Sequence, residues 1–258
     1  MIEVIDVNKS FEDNQVLKDI SAVFRTGIIN MIIGKSGSGK TVLLKSIIGL
    51  HSIDSGKILY NDSNLPSMTF KEVRQLRKEV GMLFQGAALF DSLTVLKNVL
   101  FPLEMFSTMT KPEQVERAMF CLKRVDISEK AFELFPSEIS GGMQKRVAIA
   151  RAIAMNPLYL FCDEPNSGLD PQTSLVIDRL IQEITHEFNI TTIINSHDMN
   201  SVMEIGENIL FLEKGVKEWQ GSKEDIFETG NRHLDDFVFA SQLFKKVKQS
   251  HFMQLPQQ

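Results

Sequence analysis

Three stretches of this sequence have residue types and spacings suited to handling phosphate. The first is Gly34-Lys35-Ser36-Gly37-Ser38-Gly39-Lys40-Thr41. Its glycines let backbone N–H groups turn inward around phosphate oxygens, and a helix starting at its end adds partial positive charge. The pattern G-x-x-x-x-G-K-[ST] puts Lys40 within reach of the β- and γ-phosphates of a nucleoside triphosphate and the Thr41 hydroxyl where it can ligate Mg²⁺. The second is the acid pair Asp163-Glu164. One carboxylate can support the Mg²⁺ shell, and the adjacent one can take a proton from an attacking water. The third is Ser140-Gly141-Gly142-Met143-Gln144-Lys145-Arg146. Ser140 can cap the helix that follows, and two glycines remove side chains where a ligand approaches the backbone. This is a second anion-binding helix N-terminus in a chain that already has one phosphate cradle. The economical reading is that it serves the nucleotide of another copy.

The elements that must hold these residues read as α/β. The apolar run 28–33 precedes the glycine loop, and Val42 to Ile48 follows it at helical spacing. Leu158 to Cys162 is continuously apolar, as expected of a strand buried on both faces of a parallel sheet. Asp163 and Glu164 then lie at its carboxyl end, the edge where ligands bind to open parallel sheets. His197 follows another strand-like run, Ile190 to Asn195, so an imidazole on the same edge can touch a γ-phosphate. Gln85 ends the run Val80 to Phe84 and can approach the metal or the water. Near the N-terminus, 4–7 and 21–24 alternate like strands, with turns at 12–14 and 26–27. Phe11 sits just before the first turn, where it either stacks on a base or covers the sheet edge.

Helices are expected over 71–78, 112–125, 143–154 and 171–188, and a closing hairpin over 209–219. We divide the chain into a core (1–85 and 156–222), an inserted helical subdomain (86–155) and a helical appendage (223–258). In the appendage Phe237, Ser241, Phe244 and Val247 fall on one helical face, which either meets a neighbouring copy or membrane partner or folds back on its own core.

The composition is that of an ordinary globular chain, 43% hydrophobic and 24% charged. A net charge of −5 argues against broad nucleic-acid binding. Two cysteines, Cys121 and Cys162, make no disulfide framework and point to a reducing compartment. No run approaches the ~20 apolar residues that span a bilayer, so membrane work is expected from the cytoplasmic side, through a partner.

In order and spacing, Gly34 to Thr41, Gln85, Ser140 to Gln144, Asp163-Glu164, Ser167-Gly168-Leu169-Asp170 and His197 resemble an ATP-binding-cassette (ABC) ATPase. The resemblance covers about residues 1–222. It implies a P-loop NTPase with a RecA-like core, an antiparallel β edge and an inserted helical subdomain. It also implies a head-to-tail dimer with two ATP molecules between phosphate loop and signature, acting with an integral membrane permease at the cytoplasmic face of the inner membrane. Carried over by position, Gly34 to Thr41 bind ATP, and Thr41, Gln85 and Asp163 serve Mg²⁺. Glu164 is the general base, His197 contacts the γ-phosphate, and Gln85 links the site to the permease. Ser140, Gly141, Gly142, Met143 and Gln144 act on the opposite copy's ATP, Ser167, Gly168 and Asp170 form the loop crossing the dimer, and Phe11 stacks on the base. Ile139 stands where the signature usually begins with Leu, and Met143 where Gln is commonest. A narrower resemblance, on Phe84 to Val95 and Met143, is to ATPases of the maintenance-of-lipid-asymmetry (Mla) type. It implies phospholipid transport and an envelope lipid-binding partner. The alternatives are another membrane-coupled cassette, either a small-solute importer or a division-type complex that signals without moving substrate, or a soluble mechanical ATPase.

Overall fold

The chain begins with two long antiparallel strands, β1 (Ile2–Phe11) and β2 (Asn14–Phe24), which turn at Glu12 with a φ of 53°. Both run further than their alternating cores because bulges at Asp6 and Asp19, each with positive φ, absorb breaks in the apolar pattern. The computed structural model describes residues 1–242, 244–246 and 248. Strand β3 (Ile29–Ile33) leads into α1 (Lys40–Ile47). Strands β4 (Ser55–Tyr60) and β5 (Ser63–Asn64) complete an antiparallel sheet of order β2-β1-β4-β5. Helix α2 (Phe70–Lys78) begins at a capping box between Thr69 and Glu72 and runs into β6 (Val80–Leu83).

Three helices then follow with no strand between them: α3 (Val95–Phe106), α4 (Lys111–Arg124) and α5 (Gly141–Ile153). Thr94 caps α3, and a capping box of Thr110 and Glu113 starts α4. The α/β alternation resumes with β7 (Tyr159–Asp163), α6 (Pro171–Glu187), β8 (Thr191–Asn195) and α7 (Met199–Ile205). It closes with β9 (Asn208–Glu213), β10 (Val216–Gly221) and α8 (Arg232–Val238).

The second sheet has the order β10-β9-β3-β8-β7-β6. Strands β9, β3, β8, β7 and β6 are mutually parallel, and only β10 runs antiparallel to its neighbour. Every residue of β3 and β8 is buried, so alternate side chains feed two different cores. Met31, Ile33, Leu160, Cys162 and Ile194 pack toward α3, α5 and α6. Ile32, Phe161, Ile193 and Leu210 pack toward α1 and the antiparallel sheet. Asn30 is the polar exception inside β3. Its side chain donates to the carbonyls of Arg25, Ile28 and Thr192 and accepts from the Arg25 N–H and from Asn208, so the buried amide is satisfied.

The appendage does not form the continuous helical face expected. Helix α8 is capped by Asn231 and ends at Val238, before Ser241 and Phe244. Phe237 and Phe244 are both partly buried against the protein's own core, and Val247 lies outside the described residues. Burial of Leu234 and Val238 is what draws α8 back onto the sheet.

Candidate functional site

Because β3, β8, β7 and β6 are parallel, their carboxyl ends share one edge, and the chemistry-bearing residues follow each of them. A cavity of about 700 Å³ lies there, lined by Lys35, Ser36, Gly37, Gly39, Lys40, Thr41, Gln85, Asp163, Glu164 and His197. Its floor is the turn between β3 and α1. A Cβ on Gly34 would lie 2.2 Å from the Leu212 carbonyl oxygen and 2.7 Å from Ser38 Oγ. Only glycine allows the loop to pass this close to β9. Gly39, with a φ of 101°, then turns the chain into α1.

Within the loop, Lys40 is 7% exposed and its Nζ donates to the carbonyls of Gly34 (2.8 Å) and Lys35 (3.0 Å). Burial lowers its pKa, and the charges of Glu164 and Asp163 oppose that shift. Ser38 Oγ is buried with no hydrogen-bond partner. An unpaired hydroxyl beside a loop of inward-turned amides is what a phosphate oxygen would satisfy.

The acid pair is fixed from β8. Asn195, fully buried, donates to Asp163 Oδ1 (2.6 Å) and to Thr41 Oγ1 (3.0 Å), so one amide aligns the two candidate Mg²⁺ ligands. No group of three or more His, Cys, Asp or Glu suited to a metal occurs among the described residues. A hydroxyl and one carboxylate, completed by substrate phosphates, is nevertheless the oxygen-only set that Mg²⁺ uses. Glu164 holds a left-handed φ of 49°, and its N–H donates to the Asn195 carbonyl (2.9 Å). That conformation costs of order 1 kcal/mol in a residue with a Cβ and turns its carboxylate to meet His197 Nδ1 at 2.8 Å.

Gln85 is exposed after β6, and its amide donates to Ser167 Oγ (3.2 Å), joining the β6 end to the loop after Glu164. From α5 the buried Lys145 donates to the Gln85 carbonyl, and burial lowers its pKa. Two arginine contacts extend this frame. Arg151 donates to the carbonyls of Ala87 (2.8 Å) and Ala88 (2.7 Å), two successive residues with positive φ.

Ser140, Gly141, Gly142, Met143 and Gln144 are not part of the cavity lining. Ser140 caps α5 through the Met143 N–H (3.3 Å), and Gln144 turns back to the carbonyl of Pro136 (2.9 Å). A Cβ on Gly142 would lie 2.7 Å from Thr173 Cγ2, so the start of α5 sits against the start of α6, where Asp170 is the cap. Phe11 is also outside the lining. Its ring is 42% exposed, meets His51 edge-on at 5.3 Å and lies under Lys9 Nζ at 5.2 Å.

Three residues have a place at this site that the sequence alone does not assign to them. Asn195 is the polar end of an otherwise apolar run, a pattern that signals a buried hydrogen-bonding duty, whereas Lys145 stands in the polar triplet Gln144-Lys145-Arg146 and gives no such signal. Phe237 also lines the cavity, packed 5.4 Å from Phe211, and no local pattern links α8 to this edge.

The profile of the ABC transporter family matches residues 17–167, which hold the phosphate loop, the start of α5 and the acid pair. This chain is a member of that family. The methionine import ATP-binding protein MetN of Clostridioides difficile (strain 630) is 42% identical over 238 residues, covering 92% of this chain and 74% of that protein. Among solved structures, the dimeric bacterial ABC transporter cassette MJ0796 is 31% identical with a TM-score of 0.78, covering 86% of this chain and 98% of that one. The same cassette matches equally in a post-hydrolysis state with ADP and phosphate. The cbiO1 protein of Clostridium perfringens, part of the ABC transporter complex cbiONQ, is 28% identical with a TM-score of 0.82, covering 98% of each chain. The ABC chain described here is therefore an ATPase, an ATP-binding subunit of a membrane transporter. None of its described helices is long and apolar enough to cross a membrane. The narrower Mla-type expectation is not carried by these relatives, whose printed roles include methionine import and name no lipid.

Proposed function

We propose that two copies of this chain close head to tail on two ATP molecules and drive a membrane permease that imports a small solute. The observation that carries the dimer is the split of the phosphate-handling groups. The cavity after β3, β6, β7 and β8 is lined by Lys40, Thr41, Asp163, Glu164 and His197, while Ser140 to Gln144 at the start of α5 lie outside that lining. In the mechanism, Lys40 and the loop amides hold the β- and γ-phosphates. Mg²⁺, when bound by Thr41 and Asp163 with Gln85 nearby, supplies charge neutralisation across the phosphates. Glu164 takes a proton from the attacking water, and His197 orients Glu164 and touches the γ-phosphate. Ser140 and Gly142 of one copy present their helix N-terminus to the other copy's γ-phosphate. The closed dimer is favoured only while both γ-phosphates bridge it, so hydrolysis reopens it.

The permease is assigned to the groove beside Gln85. A cavity of about 390 Å³ there is walled by Phe84, Phe90, Phe101 and Phe106, and Asn98 pins its loop through the Phe90 N–H and the carbonyls of Phe90 and Leu93. Import of a small solute is favoured by the likeness to methionine import subunits. Phospholipid transport is the second reading, resting on the make-up of Phe84 to Val95 and on Met143, and would add an envelope lipid-binding protein.

The test is a detergent pull-down of the tagged chain from its native membranes, with mass spectrometry of proteins and lipids. A polytopic permease with a solute-binding protein supports import. A permease with a lipid-binding protein and enriched phospholipid replaces it with the second reading. Absence of any membrane protein defeats both.

A further inference from the structure

One ionised-type side chain near the site has no part in the chemistry above. Asp178, in the middle of α6, is 1% exposed, between Ile177 and Ile181, which are wholly buried. Its Oδ1 accepts a 2.7 Å hydrogen bond from the Asn166 amide, whose nitrogen also donates to Ser201 Oγ at 3.0 Å. Asn166 lies between Glu164 and Ser167, and Ser201 is in α7, the helix that starts directly after His197 and Asp198. One amide therefore ties the loop carrying the base to both flanking helices. The rest of that loop is held by its own backbone, Ser167 N–H to the Glu164 carbonyl (3.2 Å) and Leu169 N–H to the Asn166 carbonyl (3.1 Å).

Packing alone does not account for a carboxylate here. Burial pushes its pKa up to about 6; hydrogen bonds with Ser201 and Asn166 oppose the shift, and the negative charges of Asp198, at the α7 cap, and Glu204, in α7, add to it. From β7 the Cys162 thiol faces it as well, a group that is itself fully buried and supplies no positive charge. Arg179, the next residue of α6, is engaged with Glu204 at 2.9 Å. An apolar residue at this position would avoid the cost, as its neighbours in α6 do.

We propose that Asp178 is a positioning residue for ATP hydrolysis, setting the Glu164–Gly168 loop against α7 through the Asn166 amide. Its reach extends to both sides of the chemistry. Upstream, Glu164 meets His197 across 2.8 Å, and downstream Ser167 accepts from Gln85 across 3.2 Å. When the Asn166 anchor is lost, the distances from base and dimer loop to the γ-phosphate lose their reference, while Lys40 and the phosphate loop keep theirs. The inference rests on Glu164 as the base, which Glu164→Gln tests separately: normal turnover in that variant removes the base and leaves the Asp178 results without a mechanism.

The experiment measures ATP turnover and equilibrium ATP binding for the full chain and its variants. Asp178→Ala is expected to lower kcat roughly ten- to hundred-fold with ATP Kd unchanged within about two-fold, a loss typical of misplaced catalytic groups. Asp178→Asn keeps an acceptor oxygen and is expected to recover most of that loss. Asn166→Ala, at a half-buried loop position, is expected to reproduce the Asp178→Ala loss, and the double variant to be no worse than either. Unchanged kcat in Asp178→Ala or Asn166→Ala overturns the proposal. So do losses in Asp178→Ala and Asn166→Ala that multiply in the double variant, or a fall in kcat matched by an equal weakening of ATP binding.

Discussion

Around Lys40 the candidate phosphate-handling groups are hydrogen-bonded across elements, whereas around Ser140 the hydrogen bonds stay within its own segment. Lys40 is braced by two carbonyls of its own loop, and Thr41 and Asp163 share the Asn195 amide. Ser140 has its single capping bond to Met143, and the segment is steadied by Gln144 reaching back to Pro136. Both are glycine-containing helix N-termini, so both attract anions by the same physics. On the proposed dimer, the cross-braced cradle at Lys40 binds ATP on its own, and the start of α5 acts only when a second copy brings the ligand to it.

That contrast can be broken by substitutions on each side. The largest effect is expected from Glu164→Gln, which should cut turnover by roughly 10³-fold, the usual contribution of a general base, and leave ATP binding intact. Steady-state ATPase assays with equilibrium binding check this. Lys40→Ala should weaken ATP binding by on the order of 10²-fold, from loss of a charge-assisted contact, and calorimetry reads it directly. Ser140→Asp keeps a good N-cap but sets a negative charge where the opposite phosphate arrives. It should reduce turnover by about 10²-fold, comparable to losing one preorganised donor, without changing the affinity of a single chain for ATP. A large loss of affinity in Ser140→Asp would erase the distinction between the two cradles. Asn195→Ala should raise the Mg²⁺ concentration needed for half-maximal turnover by about ten-fold, as losing an outer-shell partner typically does.

A separate effect concerns stability. The folded-state pKa of Asp178, raised to about 6 by burial, lies above the ~3.9 of an unfolded aspartate. The folded chain therefore holds this proton more tightly, and stability falls as pH rises between about 4 and 6, by on the order of 2–3 kcal/mol in all. Asp178→Asn should remove that fall. Urea denaturation at several pH values should show the variant equal to the parent near pH 4 and more stable above pH 6.

The glycine loop, the acid pair and the seryl-glycyl segment were legible because their chemistry is local. A strand and a helix start flank the glycine loop, a strand end carries the acid pair, and a helix start carries the seryl-glycyl segment. Parallel strands then bring Asp163, Glu164 and His197 to one edge, a consequence of burial on both sheet faces that the apolar runs already announce. What was not legible is long-range or unpatterned. Asn195 sits at the end of an apolar strand and touches a residue 154 positions away. Asp178 follows an ordinary helical alternation, and only the fold puts it under Asn166. In the tail, Phe237, Ser241, Phe244 and Val247 satisfy helical spacing, yet α8 stops at Val238, because burial of Leu234 and Val238 on the sheet decides where it lies. At the N-terminus, bulges at Asp6 and Asp19 shift the strand register, so the alternating runs understated β1 and β2. Substrate choice has no local signature in the residues around the Lys40 cavity, whose side chains suit phosphate.

The most direct measurement mixes two inactive chains. Lys40→Ala and Ser140→Asp variants are purified, combined in equal amounts and assayed for ATP turnover. In a head-to-tail pair, the mixed dimer places both defects in one site and leaves the other site with an intact phosphate loop and an intact α5 start. Turnover should then reappear, at roughly a quarter of the parental rate for random pairing. If the mixture stays as inactive as its components while mixed dimers are shown to form, the α5 start does not complete the partner's site, and the central claim fails.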